Sequence, residues 1–153
     1  EDHLIKVLNQ LGKIYFWKTA IKPGRPLAIG KIKNTFIICL PGNPVSVHLL
    51  HAMIIKPFIN FLCTGKFILP KGKKIKTNFS MKKKNKRLEW LRVNISKNKK
   101  EIIANKFAKQ GSGMISSIAF ADGILEIPEN VKLIKKGDFY VYYSFKNLFY
   151  SIN

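Results

Sequence analysis

One short stretch, Leu40-Pro41-Gly42-Asn43-Pro44, constrains this chain more than any other, because it leaves the backbone few options on either side. Pro41-Gly42 makes a sharp turn. Asn43 is a good N-cap, since its side-chain oxygen can accept a free backbone N–H. Pro44 suits the first helical position, where its missing donor costs nothing. A strand therefore ends near residue 40 and a helix begins at 44. Such a helix start offers unpaired N–H groups and the positive end of a dipole to an anion. In α/β sheets, strand ends of this kind are where ligands bind. Taken alone, the stretch is also simply a well-made helix start.

The rest of the pattern grows outward from that point. Val45, Leu49, Ala52, Met53, Ile55, Ile59 and Leu62 keep helical spacing to about residue 63, and Pro57 should kink or split the helix. Upstream, residues 27–32 and 35–40 read as two strands around a Lys33-Asn34 turn. Residues 13–18, β-branched and aromatic, read as a third strand. Leu4, Ile5, Leu8 and Leu11 share one face of a helix over 2–12, with Gly12 as its stop. Residues 64–74 carry Gly65, Pro70, Gly72 and a lysine run, which predicts a boundary at 66–74 between units at 1–65 and 75–147. Beyond it the texture is mostly strands, at 75–83, 87–96, 101–107, 124–127 and 138–145, with one short helix within 112–121. A partly open β-barrel or sandwich fits. Residues 146–153 read as a loose tail, with 148–153 outside the second unit.

Composition bounds what such a chain can do. Of 153 residues, 46% are hydrophobic, enough to bury a core. The net charge of +20, from 28 Lys and Arg against 8 Asp and Glu, attracts anions, although abundant Lys, Ile, Asn and Phe together also fit an AT-biased genome. Cys39 and Cys63 sit in apolar surroundings without metal spacing, as two reduced core thiols of a cytosolic protein would. His48 and His51 share a helix face but find no third ligand nearby, so no protein-held metal is expected. Trp17, Trp90 and the tyrosines alternate within strand-like runs and are expected in the core. No apolar run reaches the roughly 18–20 residues of a membrane span. The chain lacks an initiator Met and opens directly into a helical pattern, as a piece of a longer protein would.

A second functional signal is the basic set Lys18, Lys22 and Arg25 around Pro23-Gly24 and Pro26. Lys18 and Lys22 bracket a turn stiffened by two prolines. A rigid loop can hold cations at fixed positions, which suits an oxyanion or a phosphate. The segment Phe16-Trp17-Lys18-x-x-Ile21-Lys22-Pro23-Gly24-Arg25-Pro26, then Gly30-Lys31, then Leu40-Pro41-Gly42-Asn43-Pro44-Val45-Ser46, resembles the molybdopterin-binding domain of the MoeA and gephyrin-E family of molybdopterin molybdenumtransferases. That family's pattern is close to F-W-K-x-x-x-K-P-G-K-P followed by L-P-G-N-P-V-S. Further on, Arg87-Leu88-Glu89-Trp90-Leu91-Arg92 resembles its G-R-x-x-F-x-R segment. Gln110-Gly111-Ser112-Gly113 and Ala121-Asp122-Gly123 resemble its Q-G-S-x and A-N-G stretches. All four segments stand in order, from about residue 2 to residue 145.

The resemblance implies a fold: the C-terminal part of a three-layer α/β/α domain like those of MogA and MoaB, followed by a small β-barrel-like domain. It also implies roles, position by position. Asp2, Lys18 and Lys22 become catalytic candidates. Asp2 matches the last acid of a G-x-x-D segment whose upstream glycine-rich part is absent here. Lys18 and Lys22 match lysines proposed to hold molybdate or the pterin phosphate. Arg25, Pro41, Gly42, Asn43, Pro44, Ser46, Arg92 and Ser112 become molybdopterin-binding candidates. Arg25 stands where lysine is usual, so charge is kept and geometry is not. Asp122 stands where asparagine is common.

The implied activity is the last step of molybdenum cofactor biosynthesis, insertion of molybdate into adenylylated molybdopterin with release of AMP. Magnesium is the implied cofactor. A cytoplasmic homodimer in the full-length protein, served by a MogA-like adenylyltransferase and touching neither membrane nor nucleic acid, completes the expectation. Two other readings compete. A basic nucleic-acid-binding module would show affinity for any polyanion with steep salt dependence. A gephyrin-like scaffold would bind receptor peptides.

Overall fold

Chain entry and the first sheet are organised by alternating apolar residues. The structure, a computed structural model, describes residues 3–98, 101–108 and 115–150. Helix α1 (His3–Leu11) buries Ile5 and Leu8. It is followed by β1 (Lys13–Trp17), the two-residue β2 (Ile21–Lys22), β3 (Ala28–Ile32) and β4 (Thr35–Cys39). β1, β3 and β4 form one antiparallel sheet in that order. β3 and β4 join through Lys33-Asn34, with Lys33 at φ 51°, as tight hairpins favour. Ile5 and Leu8 pack on Ala28 and Cys39. Gly30 lets α1 approach: a Cβ there would lie 2.7 Å from Leu8 Cδ2.

The helix predicted from Pro44 is present, and Pro57 divides it in an instructive way. α2 (Pro44–Leu50) passes into a π-helical turn, His51–Ile55, and continues as α3 (Lys56–Thr64). Pro57 sits in the first turn of α3, where its missing N–H is tolerated. The wider turn ahead of it takes up the disturbed hydrogen-bond ladder. α3 stops at Gly65, in the left-handed region at φ 70°. Over Pro44–Thr64 this helix is long and apolar enough, by length and composition, to cross a membrane, which corrects the expectation that no segment is. In the fold, Val45, Leu49 and Leu50 are fully buried in the protein's own core.

The second half closes on itself. β5 (Lys73–Thr77), β7 (Leu88–Asn98), β8 (Glu101–Lys106), β9 (Gly123–Ile127) and β11 (Phe139–Ser144) pair in the order β7-β8-β5-β11-β9. β9 then pairs back onto β7. This is a closed five-stranded barrel rather than the partly open one expected, because the long β7 serves β9 with residues 89–93 and β8 with residues 93–98. β6 (Met81–Lys82) and β10 (Leu133–Ile134) add a small ribbon. α4 (Ser116–Phe120) is the short helix predicted within 112–121, where residues 112–114 lie outside the described residues.

Period-two alternation gives the barrel two apolar faces. Leu91, Val93, Leu125 and Ile127 pack with Ile75, Ala104 and Tyr142. Trp90 and Ile124, one step out of phase, pack with Val45, Leu49 and Leu50 of α2 and with Phe145 and Leu148. The core thus runs across the boundary expected at 66–74. It also overturns the loose tail expected from residue 146: α5 (Phe145–Tyr150) is a helix, with Phe145 and Leu148 buried. Residues 151–153 lie outside the described residues. Trp90 is buried as expected, whereas Trp17 is 43% exposed on an edge strand. Cys39 is buried, and Cys63, expected in the core, is exposed near the end of α3.

Candidate functional site

The register of the first sheet decides which candidate residues meet. Trp17 pairs with Ala28, and Ala28 with Cys39. The loop leaving β1 at Lys18, the loop entering β3 at Leu27 and the segment leaving β4 at Leu40 therefore emerge from one end of the sheet. β1 and β4 flank β3, so they stand about 10 Å apart there. Lys18 and the 40–43 segment share that end.

Each side of it is held rigidly. Asn43 caps α2 as predicted, accepting the Ser46 N–H at 3.1 Å, while the Val47 N–H donates to its carbonyl. Pro41 and Ser46 are buried, and Gly42 and Pro44 are exposed. The buried side chain of Ser46 belongs to the packing of the helix start, not to an open ligand face. Lys18 adopts φ 66° and is exposed, with its ammonium 4.2 Å from the Trp17 ring centroid. A cation over the face of an indole is attracted by the ring's negative charge distribution. Thr19, which the sequence did not single out, is buried and ties the basic loop together: its hydroxyl donates to Gly24 O at 2.9 Å and its N–H to Arg25 O at 3.0 Å. The peptide bond between Lys22 and Pro23 is cis. Arg25 is exposed in the turn.

Lys22 is held elsewhere. β2 pairs in parallel with β7, placing Lys22 opposite Glu89, and the Leu88 N–H donates to Ala20 O at 2.9 Å. The Lys22 ammonium lies 2.8 Å from Glu89 Oε1, and Asn85 Nδ2 donates to Glu89 Oε2 at 3.2 Å. Lys83, also buried, donates to Pro128 O. Burial pulls the Lys83 ammonium below the ordinary lysine range, against the attraction of Glu89 and Glu129. Arg92 is buried on β7, and burial lowers its pKa too, opposed by Glu89. In strand alternation, however, Arg92 falls on the face of Trp90 and Ile124, toward α2. Glu89 and Lys22 fall on the other face. The sequence grouped Lys18, Lys22 and Arg25 as one cationic set; the structure puts Lys18 at the sheet end, Arg25 in the exposed turn and Lys22 against the barrel strand, with Arg92 on the opposite face of that strand. Asp2 and Ser112 lie outside the described residues.

Glu89, Lys83 and Thr19 are what sequence reasoning missed. Glu89 left a signal: with 8 acidic residues in the whole chain, one stands inside Leu88-Glu89-Trp90-Leu91, an otherwise apolar strand. Buried carboxylates in strands need partners. Between the sheet and the barrel lies a pocket of about 570 Å³, lined by Phe16, Thr19, Ile21, Ile54, Leu88 and Glu129 among others. Its wall is mostly apolar. Among the described residues, no group of three or more His, Cys, Asp or Glu could hold a metal ion.

Helices and a three-stranded sheet that share a core with a closed five-stranded barrel define the architecture of this chain. Comparison with known proteins makes this specific. Residues 74–142 match the family model of the MoeA C-terminal region, domain IV. The chain is similar to the molybdopterin molybdenumtransferase of Haemophilus influenzae, 45% identical over 58 residues, which is 38% of this chain and 14% of that protein. It is 29% identical to the molybdopterin molybdenumtransferase of Synechocystis over 150 residues, covering 94% of this chain and 35% of the relative. A solved structure of the MoeA molybdopterin biosynthesis protein from Pyrococcus horikoshii superposes with a TM-score of 0.73 at 28% identity, over 93% of this chain and 34% of that one. Along nearly its whole length the chain is similar to a C-terminal portion of MoeA proteins, and residues 74–142 match the domain IV model of that family. It spans about a third or less of the length of these relatives.

Proposed function

We propose that the chain is the C-terminal portion of a molybdopterin molybdenumtransferase, which inserts molybdate into adenylylated molybdopterin and releases AMP. The observation that carries this reading is the likeness to the Pyrococcus MoeA structure along nearly the whole chain, helix, sheet and barrel together. The row Trp17, Ala28, Cys39 supports it locally, since it puts Lys18 and the Asn43 helix start at one sheet end. In this reading the three-stranded sheet is one part of a larger three-layer α/β/α domain.

The physical task is to bring a dianion beside a pterin that already carries phosphate. Unscreened, that repulsion is severe where the dielectric is low. Lys18, held against Trp17, and the positive dipole end of the helix that starts at Pro44 offer a fixed positive field that needs no reorganisation as charge gathers. Lys22 adds a second cation from the barrel side, and Arg25 a third from the turn. Pro41, Gly42, Asn43 and Pro44 shape the pterin side, and Arg92, Ser46 and Ser112 are assigned to it by resemblance alone. Asp2 is likewise proposed to orient the pterin. Magnesium, as cofactor of the full-length enzyme, is held outside the described residues in this proposal. A cytoplasmic homodimer fed by a MogA-like adenylyltransferase remains part of it.

The test is turnover of the full-length protein, measured as molybdate-dependent AMP release from adenylylated molybdopterin. Lys22→Ala is expected to cut that rate by about tenfold or more, as loss of a transition-state charge contact does. A rate within twofold of the unmodified protein rejects the assignment.

A further inference from the structure

We infer that Glu89 is a positioning residue of this site: it fixes the Lys22 ammonium across the junction of sheet and barrel and withholds part of its charge from the arriving anion. The inference rests on the transferase reading, and goes beyond it in assigning a role to a carboxylate on β7 that no resemblance assigns. Three observations carry it. The Glu89 side chain is 9% exposed and meets Lys22 Nζ at 2.8 Å, while the Lys22 side chain remains 44% exposed. An ammonium has three protons to donate. One is spent on Glu89, which leaves two for other acceptors on a side chain that is still partly exposed.

The second observation is backbone. Lys22 stands directly opposite Glu89 in the parallel β2–β7 pairing, and Leu88 N–H holds the Ala20 carbonyl beside it. The lysine is therefore indexed to the barrel rather than to the sheet from which its loop departs. The third is the charge balance around Glu89. Lys22, Lys83 and Arg92 all feel this one carboxylate, and both Lys83 and Arg92 are buried. Asn85 fills the other carboxylate oxygen, which fixes the head group's orientation. The carboxylate thus orients Lys22 by direct contact and attracts Lys83 and Arg92 at longer range.

Holding and withholding have separable consequences. If Glu89 only braced the fold, its replacement would lower stability and leave anion affinity alone. If it positions Lys22, removing its charge releases the full ammonium to the anion but loosens its place. Binding then tightens while turnover falls. Full-length wild type, Glu89→Gln and Lys22→Gln are compared by calorimetric titration with inorganic molybdate. The glutamine keeps the shape and can still accept from Lys22. Glu89→Gln is expected to bind molybdate about two- to fivefold more tightly, the size of one partly exposed ion pair. Lys22→Gln is expected to bind it more weakly. In the AMP-release assay, Glu89→Gln should lower both KM for molybdate and kcat, a split that a purely structural defect does not produce. Glu89→Asp reports whether folding is the issue: if it and Glu89→Gln share a lowered Tm and unchanged affinity, Glu89 is structural and the inference falls. Equal molybdate affinity in wild type and Glu89→Gln overturns it whether or not the enzyme turns over. A wild type that binds molybdate yet releases no AMP overturns the transferase reading instead.

Discussion

Gly24 shows how one residue couples the basic loop to the helix beneath it. Its φ is +136°, a conformation that L side chains rarely adopt, and a Cβ there would lie 2.9 Å from Cδ2 of the fully buried Leu50. Thr19 then closes the loop from the other side by donating to the Gly24 carbonyl. Gly24→Ala therefore meets two penalties at once, backbone strain and overpacking. It should destabilise the protein by about 2–4 kcal/mol. Gly42→Ala is the control, since nothing lies within 4 Å of a Cβ there. It should cost under about 0.5 kcal/mol. Urea denaturation of the two variants checks both figures; equal midpoints would mean that the loop is not clamped onto α2. From sequence, Pro23-Gly24 was readable as a turn, because the residue types carry that information locally. That Leu50 lies underneath was not readable, because the contact joins segments whose meeting depends on the whole sheet.

At the scale of elements, α5 is the sharpest departure from expectation. Phe145, Leu148 and Phe149 keep helical spacing, but six residues are too few for periodicity to stand out against a lysine- and asparagine-rich end. An isolated helix of this length is unstable in water, so its stability comes from the core it completes with Trp90, Ile124 and Leu49. Leu148→Ala should therefore cost about 2–4 kcal/mol, as truncation of a buried leucine does. A tail residue would give a change within about 0.5 kcal/mol, and thermal or urea unfolding separates the two outcomes. The same logic explains which other elements were legible. Strands β1, β3 and β4 and the helix from Pro44 follow from spacing, caps and β-branched runs that act within the element. β2 did not, since two residues carry no period and become a strand only by pairing with β7. Barrel closure was missed for a related reason: β7 changes partners at Val93, midway along one continuous strand, and no local residue type marks the change. The candidate site divides the same way. The Asn43 cap was legible because it acts within the motif that carries it. Glu89 meets Lys22 only once the barrel sits against the loop, and Lys83 meets Pro128 only once the barrel half has folded.

The whole molecule carries a net charge of +20, and the question at this scale is whether that charge acts as a diffuse field or through a few fixed groups. Most lysines lie on the surface, where salt screens them beyond about 8 Å at physiological ionic strength. Lys83 and Arg92 are buried, and Lys22 is tied to a buried carboxylate, so bulk salt reaches them far less. The two populations predict different salt laws. Binding to duplex DNA through the surface lysines releases counterions in proportion to the phosphates neutralised, so its affinity should fall with salt at a log–log slope steeper than about −5. In the proposed function molybdate meets only a few fixed cations, so its slope should be shallower than about −2, in keeping with neutralising one or two charges. Titrations of the full-length protein at 50, 100 and 200 mM salt, each concentration being roughly a doubling, measure both slopes. DNA affinity that fades to the micromolar range or weaker while molybdate binding persists would mark the lysine excess as background to a local site. Parallel steep slopes would instead make the chain a polyanion binder, with the junction cations no different in kind from the lysines around them.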